Sequence, residues 1–339
     1  MRAFLLTALL LAAPASAQGT APASVPVSAP LAPAKVLQLT APVGATAEFQ
    51  TVNQSRMTPG KVQVTAAPGR TVSATRLKTF EQQLGRAMGT PEATSMQGKL
   101  FVRVARRDAD GTVALLTSIV QALPGEKQPL TLRLTQTFAP GGALQNLSMN
   151  TDHPVLKAML AGLSPEKLRQ FAEQNGGASA SIYGRPLVKG AAQTQTSTVD
   201  LQDLLGALIQ GMTGQDPQAA RALASLKVSP MTVTTTTTYA GLNAQGLHVF
   251  TVAGRSGGYT LDLGGLGLGG AQAGQQPSQT LKVELLSLQT SGSSTVRPDG
   301  LPGPMNQQTT MQLAMTMQMD DVVVRLPMTM VQSLTAQPR

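Results

Sequence analysis

The most regular hydrophobic pattern lies near the C-terminus, where apolar side chains alternate with polar or small ones. The alternating residues are Met311, Leu313, Met315, Met317 and Met319, and, beyond Asp320-Asp321, Val322, Val324, Leu326, Met328 and Met330. Strict alternation predicts half-buried strands. A two-residue turn pairs Met319 with Val322, and the same register continues outward to the pair Met311–Met330. Because every apolar residue then shares one face, which a one-residue slip would destroy, the pattern predicts a β-hairpin.

The N-terminal part of the domain, 36–150, reads as a series of short strands. Segments rich in Val, Thr and Leu lie between Gly, Pro or Asp residues, at 47–57, 61–65, 95–106, 112–122, 131–138 and 143–149. Residues 108–111 predict a turn between the two most regular of these strands. Apolar residues at helical spacing, from Leu77 to Met88, predict one short helix over 75–88.

Helical signals dominate the middle of the chain, 154–226. One helix begins at 154, and Ser164-Pro165-Glu166 combines a hydroxyl cap, a first-turn proline and an acid near the positive end of the helix. Further helices are expected from Asp200 and from Asp216-Pro217. Residues 179–198, between the helix that begins at Ser164 and the one expected from Asp200, are interpreted either as strands or as a loop.

The C-terminal part, 228–335, returns to strands at 233–239, 247–252, 258–263 and 281–290, before the hairpin. A four-residue turn at 243–246 pairs Leu242 with Leu247 and Tyr239 with Phe250. Residues 264–278 predict a Gly/Gln-rich loop, and 297–300 a turn. The order of strands, helices and strands predicts an α+β fold, in which curved antiparallel sheets of meanders and hairpins pack against the central helical segment.

The N-terminus predicts export. A basic start, an apolar run of about 11 residues and a small-residue Ala-x-Ala pattern are typical of a signal peptide over 1–17. Residues 18–35, rich in Pro, Ala and Ser, predict an extended linker, and 36–339 a single domain. No later segment is apolar over 18 residues, so we expect no transmembrane helix in the mature protein. The expected location is the periplasm, the cell envelope or the exterior.

Composition excludes several classes of function. The chain has no Cys, which excludes a disulfide framework, a thiolate metal site and a cysteine nucleophile. Its net charge is +9 at pH 7, but the basic residues are scattered and aromatics make up only 3%. Because stacking platforms for single-stranded nucleic acid need aromatics, we expect no nucleic-acid partner. We expect no cofactor.

Three motifs have both a functional and a structural interpretation. Residues 254–258 match G-x-S-x-G, but a nucleophile elbow needs a helix after the serine, and strands flank this segment. Residues 265–270 match G-x-G-x-x-G without the following helix of a dinucleotide site. The acid pairs Asp108/Asp110 and Asp320/Asp321 lack the ligand array of a calcium loop. Turns and loops are therefore the preferred interpretations, with no catalytic residues and no metal site.

The unusual chemical feature is the methionine stripe, since seven of the 15 Met residues lie within 305–330. Four interpretations remain: ordinary core, an adaptable apolar cavity, a soft-metal site such as one for Cu(I), and sacrificial oxidation. The cavity interpretation places an apolar ligand between the hairpin and the helix at 201–212. Its candidate ligand-binding residues are Met315, Met317, Leu326 and Leu205.

The layout resembles a family of exported bacterial proteins of uncharacterised function. The similar stretches are 49–57, 100–116, Leu163-Ser164-Pro165-Glu166, and 287–319 with its turn at 298–302. More distantly, the arrangement is similar to the lipoprotein-carrier fold, a curved antiparallel half-barrel sheet with helices in its concavity. That resemblance implies handling of acyl chains or other hydrophobic ligands.

These observations predict a non-catalytic exported envelope protein that binds a lipid or another apolar ligand between a Met-rich sheet face and a helical lid. The alternative is a structural or interaction module that contacts an envelope component through Thr/Gln-rich strands, without a small-molecule ligand. An enzyme would require His153 or His248 beside Ser256 and an acid.

Overall fold

A computed structural model describes residues 35–88, 90–122, 129–161, 182–184, 186–199, 227–262, 279–319 and 321–339. The predicted signal segment 1–17, the linker up to residue 34, Leu205, the helix starts at 164, 200 and 216, and the loop at 264–278 lie outside these residues. In the described ranges, no helix has the length and apolar character needed to cross a membrane.

The described residues form fourteen strands and two helices. The strands are β1 (Thr46–Pro59), β2 (Gln63–Ala66), β3 (Glu92–Arg107), β4 (Val113–Gln121), β5 (Leu130–Phe138), β6 (Leu144–Thr151), β7 (Ala192–Val199), β8 (Lys227–Val228), β9 (Met231–Leu242), β10 (His248–Ser256), β11 (Tyr259–Asp262), β12 (Gln279–Val296), β13 (Pro302–Met319) and β14 (Val322–Pro338). The helices are α1 (Ala74–Met88) and α2 (Pro154–Ala161).

One antiparallel sheet contains all of these strands. Its main path runs β6-β5-β4-β3-β1-β14-β13-β12-β10-β9-β7, while β2 pairs with β14, and β11 pairs with β12 and β8. The expected antiparallel meanders are confirmed. The expected helical share is too large for the described residues, because two short helices accompany fourteen strands. Within 154–226, α2 agrees with a helical start, and β7 confirms the strand interpretation of 179–198 only for residues 192–198.

The C-terminal hairpin is confirmed in its predicted register. Met319 pairs with Val322, Met315 with Leu326 and, at the far end, Met311 with Met330. The sheet reaches this register because it is the one that gathers the ten alternating apolar residues of both strands on one face.

The prediction for the other hairpin of the C-terminal part is confirmed for its aromatic pair and wrong for its turn. Tyr239 pairs with Phe250, and their ring centroids lie 5.3 Å apart. Leu242 pairs with His248 rather than with Leu247, because the register shifts between Val249 and Phe250. A bulge of this kind adds one residue to one strand. The predicted turns at 108–111 and 297–300 and the helix at 75–88 are confirmed.

The two faces of the sheet differ in charge. We call the face that carries Thr309, Met315 and Leu326 the inner face; direct cross-strand partners share a face, so the registers assign every strand. Along the strands of the main path, its side chains are uncharged except at two strand ends, Glu92 and Arg107. The ionic strand residues otherwise lie on the opposite, outer face.

The sheet bends towards its inner face. Inner-face residues of β3, β4 and β5 belong to the same buried cluster as Phe250 of β10 and Val296 of β12, although these strands are far apart along the path. Glycine permits close approach of neighbouring backbones where the sheet bends. A Cβ on inner-face Gly98 would lie 2.6 Å from the Val120 backbone oxygen, and Gly292 is similarly close to the backbone of Asn306.

Candidate functional site

The inner face is divided into three zones along the strands. At one end lies the aromatic core, a buried cluster that includes Phe49, Phe138, Tyr183 and Phe250. At the other end lies the Met zone, which consists of the inner-face side chains of the β13–β14 hairpin from Met311 to Met330. A polar row separates the two.

The aromatic core closes its end of the sheet. Phe138 and Tyr183 pack edge to face with ring centroids 5.5 Å apart, and the Tyr183 hydroxyl donates a 2.6 Å hydrogen bond to the backbone oxygen of Gly300. Burial, and secondarily the nearby Asp299 carboxylate, raise the pKa of Tyr183 well above its ordinary value. This zone is fully packed and offers no room for chemistry.

The Met zone combines a packed floor with half-buried methionines. Val324 is 0% exposed and Leu326 is 2% exposed. Met315, Met317, Met319 and Met328 are only partly buried and pack against that floor. On β12, Val283 and Leu281 pair directly with Met315 and Met317, so the apolar surface continues across the neighbouring strand.

Helix α1 packs on the edge of the Met zone. Leu77, Phe80 and Leu84 recur at helical spacing and contact the cluster that contains Val64, Val324 and Leu326. Ser73, the residue before α1, caps the helix, because its Oγ accepts a 3.3 Å hydrogen bond from the backbone N–H of Arg76. The Arg76 guanidinium pairs with the Asp321 carboxylate at 2.8 Å, which ties the first turn of the helix to the end of the hairpin.

A polar belt crosses the sheet between the two apolar zones. In spatial order, its members are Gln195 of β7, Thr235 of β9, Gly254 of β10, Thr290 of β12, Thr309 of β13, Gln332 of β14, Ser55 of β1 and Thr94 of β3. Each is the direct cross-strand partner of the next. Eight strands therefore place a glycine or a polar uncharged residue at the same level of the inner face.

Five of the eight belt residues are buried, and the belt is only partly hydrogen-bonded. Thr235, Thr309 and Gln332 are each 3% exposed and Gln195 is 6% exposed. Thr290 and Thr309 share a 3.0 Å hydroxyl–hydroxyl hydrogen bond, and Gln332 Nε2 donates to Asn53 Oδ1 at 2.8 Å.

Four buried belt atoms lack a hydrogen-bond partner within the described ranges. They are Thr94 Oγ1, Gln195 Oε1, Thr235 Oγ1 and Gln332 Oε1. Buried polar side-chain atoms normally have a hydrogen-bond partner. Four unpaired atoms in one row are therefore unusual, and they make the belt a candidate binding site.

Ser256 and His248, two of the residues considered for a serine hydrolase, are not brought together. Ser256 Oγ donates to the Gly257 backbone oxygen at 3.0 Å. His248 lies eight residues away on the same strand, about 27 Å in extended backbone, and its Nδ1 is 2.9 Å from the Tyr239 hydroxyl. Burial lowers the pKa of His248. Gly254, Arg255 and Ser256 lie within β10 rather than at a strand-to-helix turn.

Within the described residues, Asp110 stabilises its own turn and Asp321 forms an ion pair. Asp110 accepts hydrogen bonds from the backbone N–H and the hydroxyl of Thr112, at 2.9 and 3.1 Å. These bonds, led by the backbone one, lower the pKa of Asp110. Asp321 is engaged with Arg76. No cluster of three His, Asp or Glu side chains suited to a metal ion occurs in the part of the chain that the structure describes.

Three of the four predicted ligand-binding residues lie together in the Met zone. Met315 and Leu326 are direct partners, and Met317 is two residues further along β13. Leu205 lies outside the described residues. The helix that covers the edge of the zone in the described structure is α1, whose apolar stripe was visible in the sequence. The polar belt was not predicted, since its members align only through the registers of eight strands.

Comparison with known proteins does not assign the chain to a family. No family model matches it, and no curated protein matches it. A solved structure titled "Asymmetric conductivity of engineered proteins" is similar over 86% of this chain and 100% of its own, with 7% identity and a TM-score of 0.23. A likeness of that size carries no argument about fold or function.

Proposed function

We propose that this chain is a non-catalytic exported envelope protein that binds a lipid or another apolar ligand on the Met zone, at the edge covered by α1. The observation that carries the proposal is the contrast within one apolar surface. Leu326 forms a fully buried floor, while Met315, Met317, Met319 and Met328 around it remain half-buried. Flexible thioether side chains adapt to apolar guests of different shape.

The dimensions of the Met zone suit an acyl chain. Met311 to Met319 covers eight residue steps, about 27 Å of extended strand. One leaflet of a bilayer core of about 30 Å is about 15 Å thick, so an extended acyl chain fits along this length. The half-buried Leu281 and Val283 of β12 widen the apolar surface beside it.

The lack of ionic strand residues on the β13–β14 part of the inner face also favours an apolar guest. An ionic side chain beside a bound acyl chain would lose hydration without gaining a partner. Ionic residues of the hairpin region, such as Arg325 and Glu284, lie on the outer face, where their side chains approach to 3.5 Å. The resemblance to the lipoprotein-carrier fold, stated from the sequence, implies the same class of ligand.

Extraction of the natively produced protein tests this proposal. We expect organic extraction of the purified chain, followed by mass spectrometry, to yield a stoichiometric lipid or apolar metabolite. Met317→Gln places an amide on the Met zone and should reduce the yield. Thr316→Gln, at the next position on the outer face, should not. An empty extract, reproduced after incubation with envelope lipids, would contradict the proposal.

A second candidate is a structural or interaction module. Strand β7 ends the main path, and its sequence, AQTQTSTV, has no charge or proline to protect an edge. Its outer-face Thr194 and Thr196 hydroxyls lie 2.8 and 3.2 Å from those of Thr236 and Thr234, which gives a regular Thr ladder. Retention of the chain on isolated cell-wall polymer, together with an empty lipid extract, would favour this function.

A further inference from the structure

The polar belt borders the Met zone on both strands of the hairpin. Thr309 is two residues from Met311 on β13, and Gln332 is two residues from Met330 on β14. Beside them on β1, Ser55 is two residues from Met57, the direct partner of Met330. Two residues of strand span about 7 Å. A ligand whose chain lies on the Met zone would therefore bring its polar end to the belt.

The unpaired atoms of the belt define what that polar end must offer. Gln195 Oε1 and Gln332 Oε1 are amide oxygens, which only accept hydrogen bonds, and the Thr94 and Thr235 hydroxyls can donate or accept. The orientation of the Gln332 amide is fixed, because its nitrogen already donates to Asn53. A ligand group that pairs with these belt atoms must therefore carry several hydroxyl or N–H donors.

The absence of charge on the belt selects against an ionic head group. The eight belt residues carry no ionisable side chain, and the inner-face charges of the main path lie at the strand ends Glu92 and Arg107. Among the eight belt residues, a buried phosphate or ammonium would find no counter-ion, and an unpaired buried charge is far more costly than a neutral hydrogen-bonded group.

We propose that the inner face binds an amphiphile with a neutral, polyhydroxylated head, as in a glycolipid, with its head on the polar belt and its chain on the Met zone. This inference rests on the proposed function, because it assumes that an apolar chain occupies the Met zone. Gln195 and Thr235, which are direct partners with unpaired oxygens, lie four and three strands from β13 along the belt. The head therefore extends from Thr309 across the bent inner face, where these two side chains supply two of its hydrogen bonds.

The test compares three 12-carbon amphiphiles at concentrations below micelle formation, by titration calorimetry on the mature chain. Dodecyl maltoside has a neutral polyhydroxylated head, dodecylphosphocholine a zwitterionic head and dodecyl sulfate an anionic head. We expect the maltoside to bind at least about tenfold more tightly than either charged probe. The variant Gln195→Met/Thr235→Val, which keeps side-chain shape, should weaken maltoside binding about tenfold or more, the effect of losing two neutral hydrogen bonds.

The matched control is Thr194→Val/Thr236→Val, on the outer face of the same two strands. These hydroxyls bond to each other, so their joint removal leaves no unpaired group, and maltoside binding should be unchanged. Thermal unfolding of the belt variant should show no loss of stability, because it removes two unpaired buried oxygens. Weaker maltoside binding at unchanged stability would show that these two side chains contact the ligand rather than stabilise the fold.

The outcomes distinguish this inference from the proposed function. Equal binding of all three probes, unaffected by the belt variant, would overturn the neutral-head inference and leave an apolar site in place. Binding of none of them would overturn the proposed function and, with it, this inference.

Discussion

Replacement of Leu326 by alanine tests whether the floor of the Met zone is a packed core. The side chain is 2% exposed, lies opposite Met315 on β13 and belongs to the buried cluster under α1. Removal of a fully buried leucine loses transfer free energy and leaves a cavity, at a cost of about 2–5 kcal/mol. Since the neighbours Met315 and Met328 are flexible and half-buried, they can move into part of the gap, and we expect the lower half, about 2–3 kcal/mol.

The assay is urea-induced unfolding of wild type and variant followed by circular dichroism. A loss of 2–3 kcal/mol corresponds to a melting temperature lower by about 3–5 °C in a chain of this size. The matched control is Val323→Ala, on the outer face of the same strand, where a half-buried valine should cost about 1 kcal/mol. If Leu326→Ala were no more destabilising than Val323→Ala, the packed floor, and the contrast on which the proposed function rests, would be refuted.

Three further predictions address the bend of the sheet, the aromatic core and the polar belt. Gly292→Ala should lower the free energy of unfolding by more than about 2 kcal/mol, because its Cβ would lie 2.8 Å from a neighbouring Cα on β13. The control is Gly85→Ala in α1, where an added Cβ would meet no atom within 4 Å. That variant should raise the free energy of unfolding by about 0.5–1 kcal/mol in the same urea titration. Tyr183 should remain protonated in the folded protein at pH values where an exposed tyrosine ionises. Folding raises the pKa of that phenol above 10, so its contribution to stability is complete below pH 10 and decreases as pH rises beyond it. Tyr183→Phe should therefore flatten the alkaline part of the plot of stability against pH. Full titration of the tyrosines of the folded wild type near pH 10, measured by phenolate absorbance, would contradict this. A double-mutant cycle of Asn53→Ala and Gln332→Ala should give a coupling of about 1 kcal/mol, as expected for one buried neutral hydrogen bond; additive losses would exclude that bond.

Local patterns predicted the hairpin well. The β13–β14 register follows from a single requirement, that ten alternating apolar residues share one face, and the structure pairs Met315 with Leu326 as expected. The helix at 75–88 was likewise predictable, because its apolar residues recur with the helical period. In both cases the information lies within one short stretch of chain.

Features that depend on alignment between distant strands were not predictable from the sequence. Each belt residue, such as Thr235 or Thr309, is an ordinary polar residue in its own strand. The pairing of Leu242 with His248 depends on a bulge that the turn sequence does not reveal. The position of α1 over the Met zone also required the structure, because the fold places β2 and its following helix beside β14, more than 200 residues later in the sequence.

Photo-crosslinking of an alkyl chain tests the central claim, that an apolar ligand lies on the Met zone, most directly. The mature chain would be illuminated with a diazirine-bearing alkyl maltoside, digested, and its labelled residues identified by mass spectrometry. We expect saturable labelling that is concentrated on Met315, Met317 and their inner-face neighbours, and that is reduced by Met317→Gln but not by Thr316→Gln. Labelling spread over the outer face, or no labelling above that of an unrelated protein, would contradict it.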